Sequence, residues 1–105
     1  MESPLERYFI AVGVYGDVAD RLKAVSASDA ARLFSDSNRA EFLSFFTSLG
    51  SDIASVGTQL GVIRGGTVTE KHAELVVIKT TANGVTAFPI QIVRDLDGIW
   101  RIEHL

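Results

Sequence analysis

Few side chains in this 105-residue sequence could move a proton or grip a ligand, and they are dispersed. The acid–base candidates are Asp17 and the two histidines, His72 and His104. A carboxylate or imidazole becomes an effective proton-transfer group when burial brings its pKa toward neutrality. Asp17 follows Gly16 and precedes a helical run, where N-capping is its ordinary use and a catalytic base the alternative. His104 shares the parity of Trp100 and Ile102 and points inward with them if the last strand keeps its register; next to the end of the sequence, it could equally face solvent. His72 opens a strand and reads as a surface residue. Tyr8 and Tyr15 lie on the apolar side of the first helix, where a phenol could donate to the developing oxyanion of a bound carbonyl or sit in the core with its hydroxyl satisfied. Arg94 closes the strand face of Phe88, Ile90 and Ile92, so it could hold an anion at a pocket mouth or stand solvated at the strand end. Trp100 reads as core or cavity lining.

Several chemistries are excluded. There is no cysteine, hence no thiol nucleophile, disulfide or thiolate metal ligand. Two histidines without carboxylates at ligand spacing do not make a zinc site, so neither a metal nor a cofactor is expected. GVIRGG at 61–66 neither leads from a strand into a helix nor matches a phosphate-binding fingerprint, and no Gly-x-Ser-x-Gly elbow occurs. Ten basic against thirteen acidic residues leave a net charge of -3, with the basic residues scattered singly, which excludes a nucleic-acid surface. The opening MESPLERYFIAVGVYGD lacks a basic lead, and Glu6, Arg7, Gly13 and Gly16 break its apolar run, so neither a signal peptide nor a membrane span is expected. A cytoplasmic location follows as the default, and an exported mature domain with its leader removed would read the same way.

The elements that must position these groups can be read from periodicity. With 47% hydrophobic and 22% charged residues and no linker-like stretch, residues 1–105 read as one globular domain. Ser3, Pro4 and Glu6 form a helix start, followed by a stripe of Leu5, Tyr8, Phe9, Val12 and Tyr15. Gly13 and Gly16 weaken that helix, and Asp17 caps a second segment carrying Val18, Leu22 and Val25. SASD at 26–29 opens a short helix with Ala30, Leu33 and Phe34, and Asn38 with Glu41 forms a capping box before the strongest stripe, Phe42, Phe45, Phe46, Leu49, Ile53 and Leu60. Gly50 is placed to kink or split this helix and Gly61 to stop it.

After Gly61 the period becomes that of strands. The pattern predicts an edge strand over 62–69 with a bulge at Gly65-Gly66, a firmer strand over 72–81, a hairpin at Asn83-Gly84 with both residues able to take positive φ, a strand over 85–94, a turn over 95–98 and a last strand over 99–105. Pro89 must meet an edge, a bulge or a gap in pairing. Helices first and an antiparallel meander afterwards is the α+β pattern, with N-terminal helices packed on one sheet face. That face carries Ala73, Leu75, Val77, Phe88, Ile90, Ile92, Trp100, Ile102 and His104. The other carries Val76, Ile78, Val85, Ala87, Val93, Ile99 and Leu105, too apolar for a face meant only for water. A homodimer through this outer face is expected.

The Gly-Asp pair at 16–17, FLSFFTSLGSDI at 42–53, AELVVI at 73–78, AFPIQIV at 87–93 and DGIWRI at 97–102 together resemble the nuclear-transport-factor-2-like superfamily, in particular its small bacterial domains. The resemblance implies a cystatin-like cone: a bent antiparallel sheet around helices, an apolar cavity at the open end, and often a dimer. The superfamily includes ketosteroid isomerase, scytalone dehydratase, limonene epoxide hydrolase and polyketide cyclases beside non-catalytic binding modules, so fold alone does not choose a function. This sequence is shorter than those enzymes, which implies a missing strand or part of the pocket wall. On this reading Tyr8, Phe42, Phe46, Phe88, Ile90, Trp100 and Ile102 line the cavity, and Asp17 matches the common Gly-Asp pair. Three functions follow: a non-catalytic domain binding a small apolar ligand; an isomerase-, dehydratase- or cyclase-type enzyme on a small hydrophobic carbonyl compound, with Asp17 or His104 as base and Tyr8 or Tyr15 as donor; and a protein-interaction module using the outer face.

Overall fold

The computed structural model describes residues 3–104, with the side chain of Thr81 set aside. Four helices precede four strands: α1 (Pro4–Lys23), α2 (Ala27–Ala31), α3 (Arg39–Leu49) and α4 (Ile53–Gln59), then β1 (Val62–Val68), β2 (His72–Thr81), β3 (Gly84–Arg94) and β4 (Trp100–His104). The strands form one antiparallel sheet in the order β1-β2-β3-β4. This is the α+β arrangement anticipated from the sequence. Among the described residues no helix is long and apolar enough to cross a membrane.

α1 starts as its first residues dictate, with Ser3 Oγ accepting the Glu6 amide at 3.1 Å and Pro4 in the first turn. It does not end near Gly13 and Gly16, however. A side chain added at either glycine would meet nothing within 4 Å, so both stand on the open side. Their cost of about 1 kcal/mol each is offset by the packing of Ala11, Tyr15, Val18 and Leu22 on the opposite side. Asp17 is therefore a mid-helix residue and caps nothing. The buried stripe is also rotated from the expected one: Leu5 and Phe9 are 63% and 62% exposed, while Ala11 is fully buried. The helix closes at Val25, a β-branched residue held at φ 57°, where the amides of Val25 and Ser26 return to the carbonyls of Leu22 and Arg21 at 3.0 Å.

α3 begins after Asn38, but the expected capping box is not made. The Asn38 amide instead donates to the Glu103 carbonyl at 2.7 Å, tying the start of α3 to β4. Gly50, at φ 56°, separates α3 from a single 3-10 turn (Gly50–Asp52) and α4, so the long stripe is split. Phe46 and Ile53 from it are buried; Phe45 faces outward. Gly57 lets α4 press on α1: an added Cβ would stand 2.8 Å from the Ala19 carbonyl oxygen and 2.9 Å from the Lys23 nitrogen.

The sheet's inner face is set by three paired rows, Ala73 with Ile92, Leu75 with Ile90, and Val77 with Phe88. Ile102 extends the first row into β4 and makes a parallel bridge to Phe34, with Ser35 N–H donating to Ile102 O (2.8 Å) and Ile102 N–H to Leu33 O (2.7 Å). Over this end lie Phe34, Phe42 and Phe46, with Phe34 stacked on Phe42 at 4.1 Å between ring centroids and edge-on to Phe46 at 5.6 Å.

Register shifts occur between Ile63 and Gly65 in β1 and, in the β3–β4 pairing, beside Glu103. The second corrects the register expected for His104. One extra residue after Ile102 pairs His104 with Gln91, so its placement is not set by the alternation of Trp100 and Ile102. The β2–β3 loop is residues 82–83, one position earlier than expected, because Thr81 pairs with Gly84, which takes φ 119°. Pro89 lies beyond the last residue of β3 that pairs with β4, so its missing donor falls where β3 has one neighbour. At the β3–β4 turn Arg101 reaches Asp95 (2.8 Å) and Asp97 (2.9 and 3.0 Å); the Arg101 hydrogen bonds, and then the Ile99 amide, hold the Asp97 carboxyl below its usual range.

On the outer face Val62, Val85 and Ile99 are largely exposed, and Val76, Ile78 and Val93 half-buried. Leu105, assigned to that face from the sequence, lies outside the described residues.

Candidate functional site

A half-open hollow of about 410 Å³ lies where the helices run out above the inner sheet face. Strand alternation supplies its floor: β2 continues from Val77 to Lys79, and β3 places Phe88 and Ile90 beside them. α4 supplies one wall as it ends, with Gln59, Leu60 and Gly61. Gly61 is required there because a Cβ would come within 2.7 Å of the Ile78 carbonyl oxygen.

Tyr15 joins the two walls. Its hydroxyl donates to the Gly61 carbonyl at 2.6 Å, stapling α1 to the junction of α4 and β1. Burial pushes the Tyr15 phenol above its ordinary pKa, since the phenolate would be poorly solvated. Gln91 and His104 complete the lining on the β4 side. No aspartate or glutamate lines the hollow, and among the described residues no three His, Asp or Glu side chains gather as a metal would require.

The residues singled out from the sequence are distributed unevenly around this site. Phe88, Ile90, Tyr15 and His104 line the hollow. His104 does so while exposed, at the end of β4. Asp17 is two residues from Tyr15 on α1, hence on the far side of the helix, and is exposed. Tyr8 is half-buried beside Phe9, outside the lining. Phe42, Phe46, Trp100 and Ile102 fill the core at the other end of the sheet instead of lining a cavity, because α2, α3 and the bridge from Phe34 to Ile102 cover that end. Trp100 is 4% exposed, and its indole N–H has no hydrogen-bond partner among the described residues. His72 is half-buried in a turn closed by Thr69, and Arg94 lies beside the β3–β4 turn, with its Nε donating to Gly98 O at 3.3 Å.

Among the lining residues not singled out from the sequence, Lys79 is the charged one. The signal was available: it stands two residues after Val77 in a strand of period two, and so on the same face. Gln59 and Gly61 carried no comparable signal, since where a helix stops above a sheet is a tertiary property.

No protein-family model matches the sequence, and no curated protein matches it. Among solved structures the chain is similar to a crystal structure from Campylobacter jejuni described as an NTF2-like transpeptidase, with a TM-score of 0.59 and 12% identity, over 90% of this chain and 97% of that one. At this identity the likeness is one of fold. The chain has the NTF2-like fold.

Proposed function

We propose that this NTF2-like domain is a non-catalytic binding module that receives a small, largely apolar ligand in the hollow and works as a homodimer through the outer sheet face. One observation carries the reading. The hollow, about 410 Å³, falls in the range of small-molecule sites, and Leu60, Val77, Phe88 and Ile90 give it a mainly apolar lining without a carboxylate. The dimer is supported by the exposed Val62, Val85 and Ile99 on the sheet face away from the helices.

The competing reading is an isomerase-, dehydratase- or cyclase-type enzyme on a small hydrophobic carbonyl compound, favoured by the presence of His104 in the lining. It would use His104 as base and Tyr15 as donor. Binding is preferred because the Tyr15 hydroxyl is already committed to the Gly61 carbonyl and Asp17 is on the wrong side of α1. A protein-interaction module would use the same outer face as the dimer.

Titration with a panel of small apolar compounds, followed through the methyl resonances of Leu60, Val77 and Ile90, tests the reading. Saturable shifts confined to these residues and their neighbours are expected, with Phe88→Trp weakening them by partly filling the hollow. Shifts scattered over the molecule, or none, would overturn it. Sedimentation at micromolar concentration is expected to give a dimer, and a clean monomer would remove that half of the proposal.

A further inference from the structure

We infer that the ligand is a monocarboxylate on an apolar tail, with Lys79 as the partner of its carboxylate; this rests on the hollow being a binding site. Lys79 is half-buried on the inner face, opposite Thr86 and next to the Val77–Phe88 row, and it lines the hollow. Among the described residues it has no ion pair and no side-chain hydrogen bond. Ion pairs form elsewhere, Arg32 with Asp29, Arg39 with Asp36, and Arg101 with Asp95 and Asp97, but no carboxylate lines the hollow that holds Lys79.

The nearest carboxylate along β2 on the opposite face, Glu74, accepts from Gln91 Nε2 at 2.7 Å and does not turn toward Lys79. A protein of net charge -3 thus offers, in this hollow, a cation without an anion. An ammonium placed among apolar side chains gains a charge-assisted hydrogen bond when a carboxylate meets it there. The second depression of the surface differs: it brings together Glu70 and Asp95 with Lys71 and Arg94, and so favours neither sign.

The same lining limits the anion to a single charge. Phosphate recognition calls for several convergent donors, such as an arginine fork or a helix N-terminus. Here there is one lysine, with Gln59 and His104 as the other polar side chains not already engaged, and it is the C-terminal end of α4 that borders the hollow. Leu60, Val77, Phe88 and Ile90 are left for an apolar tail.

Isothermal titration of the full chain with decanoate, decanol and decylamine at low salt separates the possibilities. Decanoate is expected to bind about tenfold more tightly than decanol, as one charge-assisted hydrogen bond would give, with decylamine weakest. Lys79→Met, which keeps the straight stem and removes the charge, is expected to abolish the preference for decanoate over decanol, with an unchanged circular dichroism spectrum and unfolding midpoint showing that the variant is folded. Lys79→Arg should restore the preference. Equal binding of decanoate and decanol, or a decanoate affinity indifferent to Lys79→Met, would overturn the carboxylate assignment and leave the binding site standing. Binding of none of the three would overturn both.

Discussion

The inner face of the sheet is one surface with two ends, and they differ in what lies over them. At the end marked by Ala73, Ile92 and Ile102, side chains are at 0% exposure, and the Phe34 segment bridges to Ile102. At the other end the same rows continue to Val77, Phe88 and Lys79, but α4 stops at Gln59 and Phe88 is 40% exposed. Strand composition hardly changes between the two. What changes is helix cover, and it converts one alternating apolar pattern into a core at one end and a concave surface at the other.

The contrast can be tested by deletion. Phe34→Ala should cost the most, about 3–5 kcal/mol, because it empties a fully enclosed site and removes the ring stacked on Phe42; denaturant unfolding would measure it. A cost comparable to that of an exposed position would mean that the closed end is not closed. Gly57→Ala probes how tightly α4, the helix that walls the open end, is held against α1. With backbone atoms of α1 at 2.8 and 2.9 Å from the added carbon, the helices must separate, at about 1–3 kcal/mol on the same assay.

Tyr15→Phe acts at the border. It should cost about 1 kcal/mol by leaving the Gly61 carbonyl without its donor. It should also change the alkaline limb of the stability curve. The folded-state pKa of Tyr15 is raised, so its contribution is fully present below the unfolded value of about 10 and is lost as pH rises toward the folded value. The variant should lack that loss, as unfolding midpoints collected across the alkaline range would show. Phe88→Ala, at the open end, should cost less than about 1 kcal/mol, since much of the ring already meets water. A loss as large as that of Phe34→Ala would erase the distinction between the ends.

Local signals in the sequence mark much of this architecture. Ser3-Pro4-Glu6 marks the start of α1, the Val/Ile/Leu/Thr run at 72–81 coincides with β2, and the bulge expected at Gly65-Gly66 falls one residue earlier, at Arg64. Each depends on neighbours in the chain. The misses depend on distant contacts. Gly13 and Gly16 read as a break, yet burial of Ala11, Val18 and Leu22 carries the helix through them. Phe9 and Leu5 read as core by type, but little of the fold lies beneath the first turns of α1, and small Ala11 takes the buried place. Asn38 is a helix start by its type and a β4 tether by its contact, and only the position of Glu103 decides between them. His104 borders the hollow as one of its two expected placements, but not by the alternation of Trp100 and Ile102, since one extra residue shifts the register and nothing in the letters around Glu103 announces that shift. The site was legible in its strand half, Phe88 and Ile90, and illegible where it depends on the end of α4.

The bridge between Phe34 and Ile102 also bears on association. A terminal strand with free amides and carbonyls is a template for another chain. Here the outward groups of Ile102 are taken by Leu33 and Ser35, and the Glu103 carbonyl is taken by Asn38. That border of the sheet is closed to strand addition, and its opposite border, β1, is broken by the irregularity before Gly65. An incoming peptide strand, or a fibril seed, would find no long uninterrupted ladder on either side.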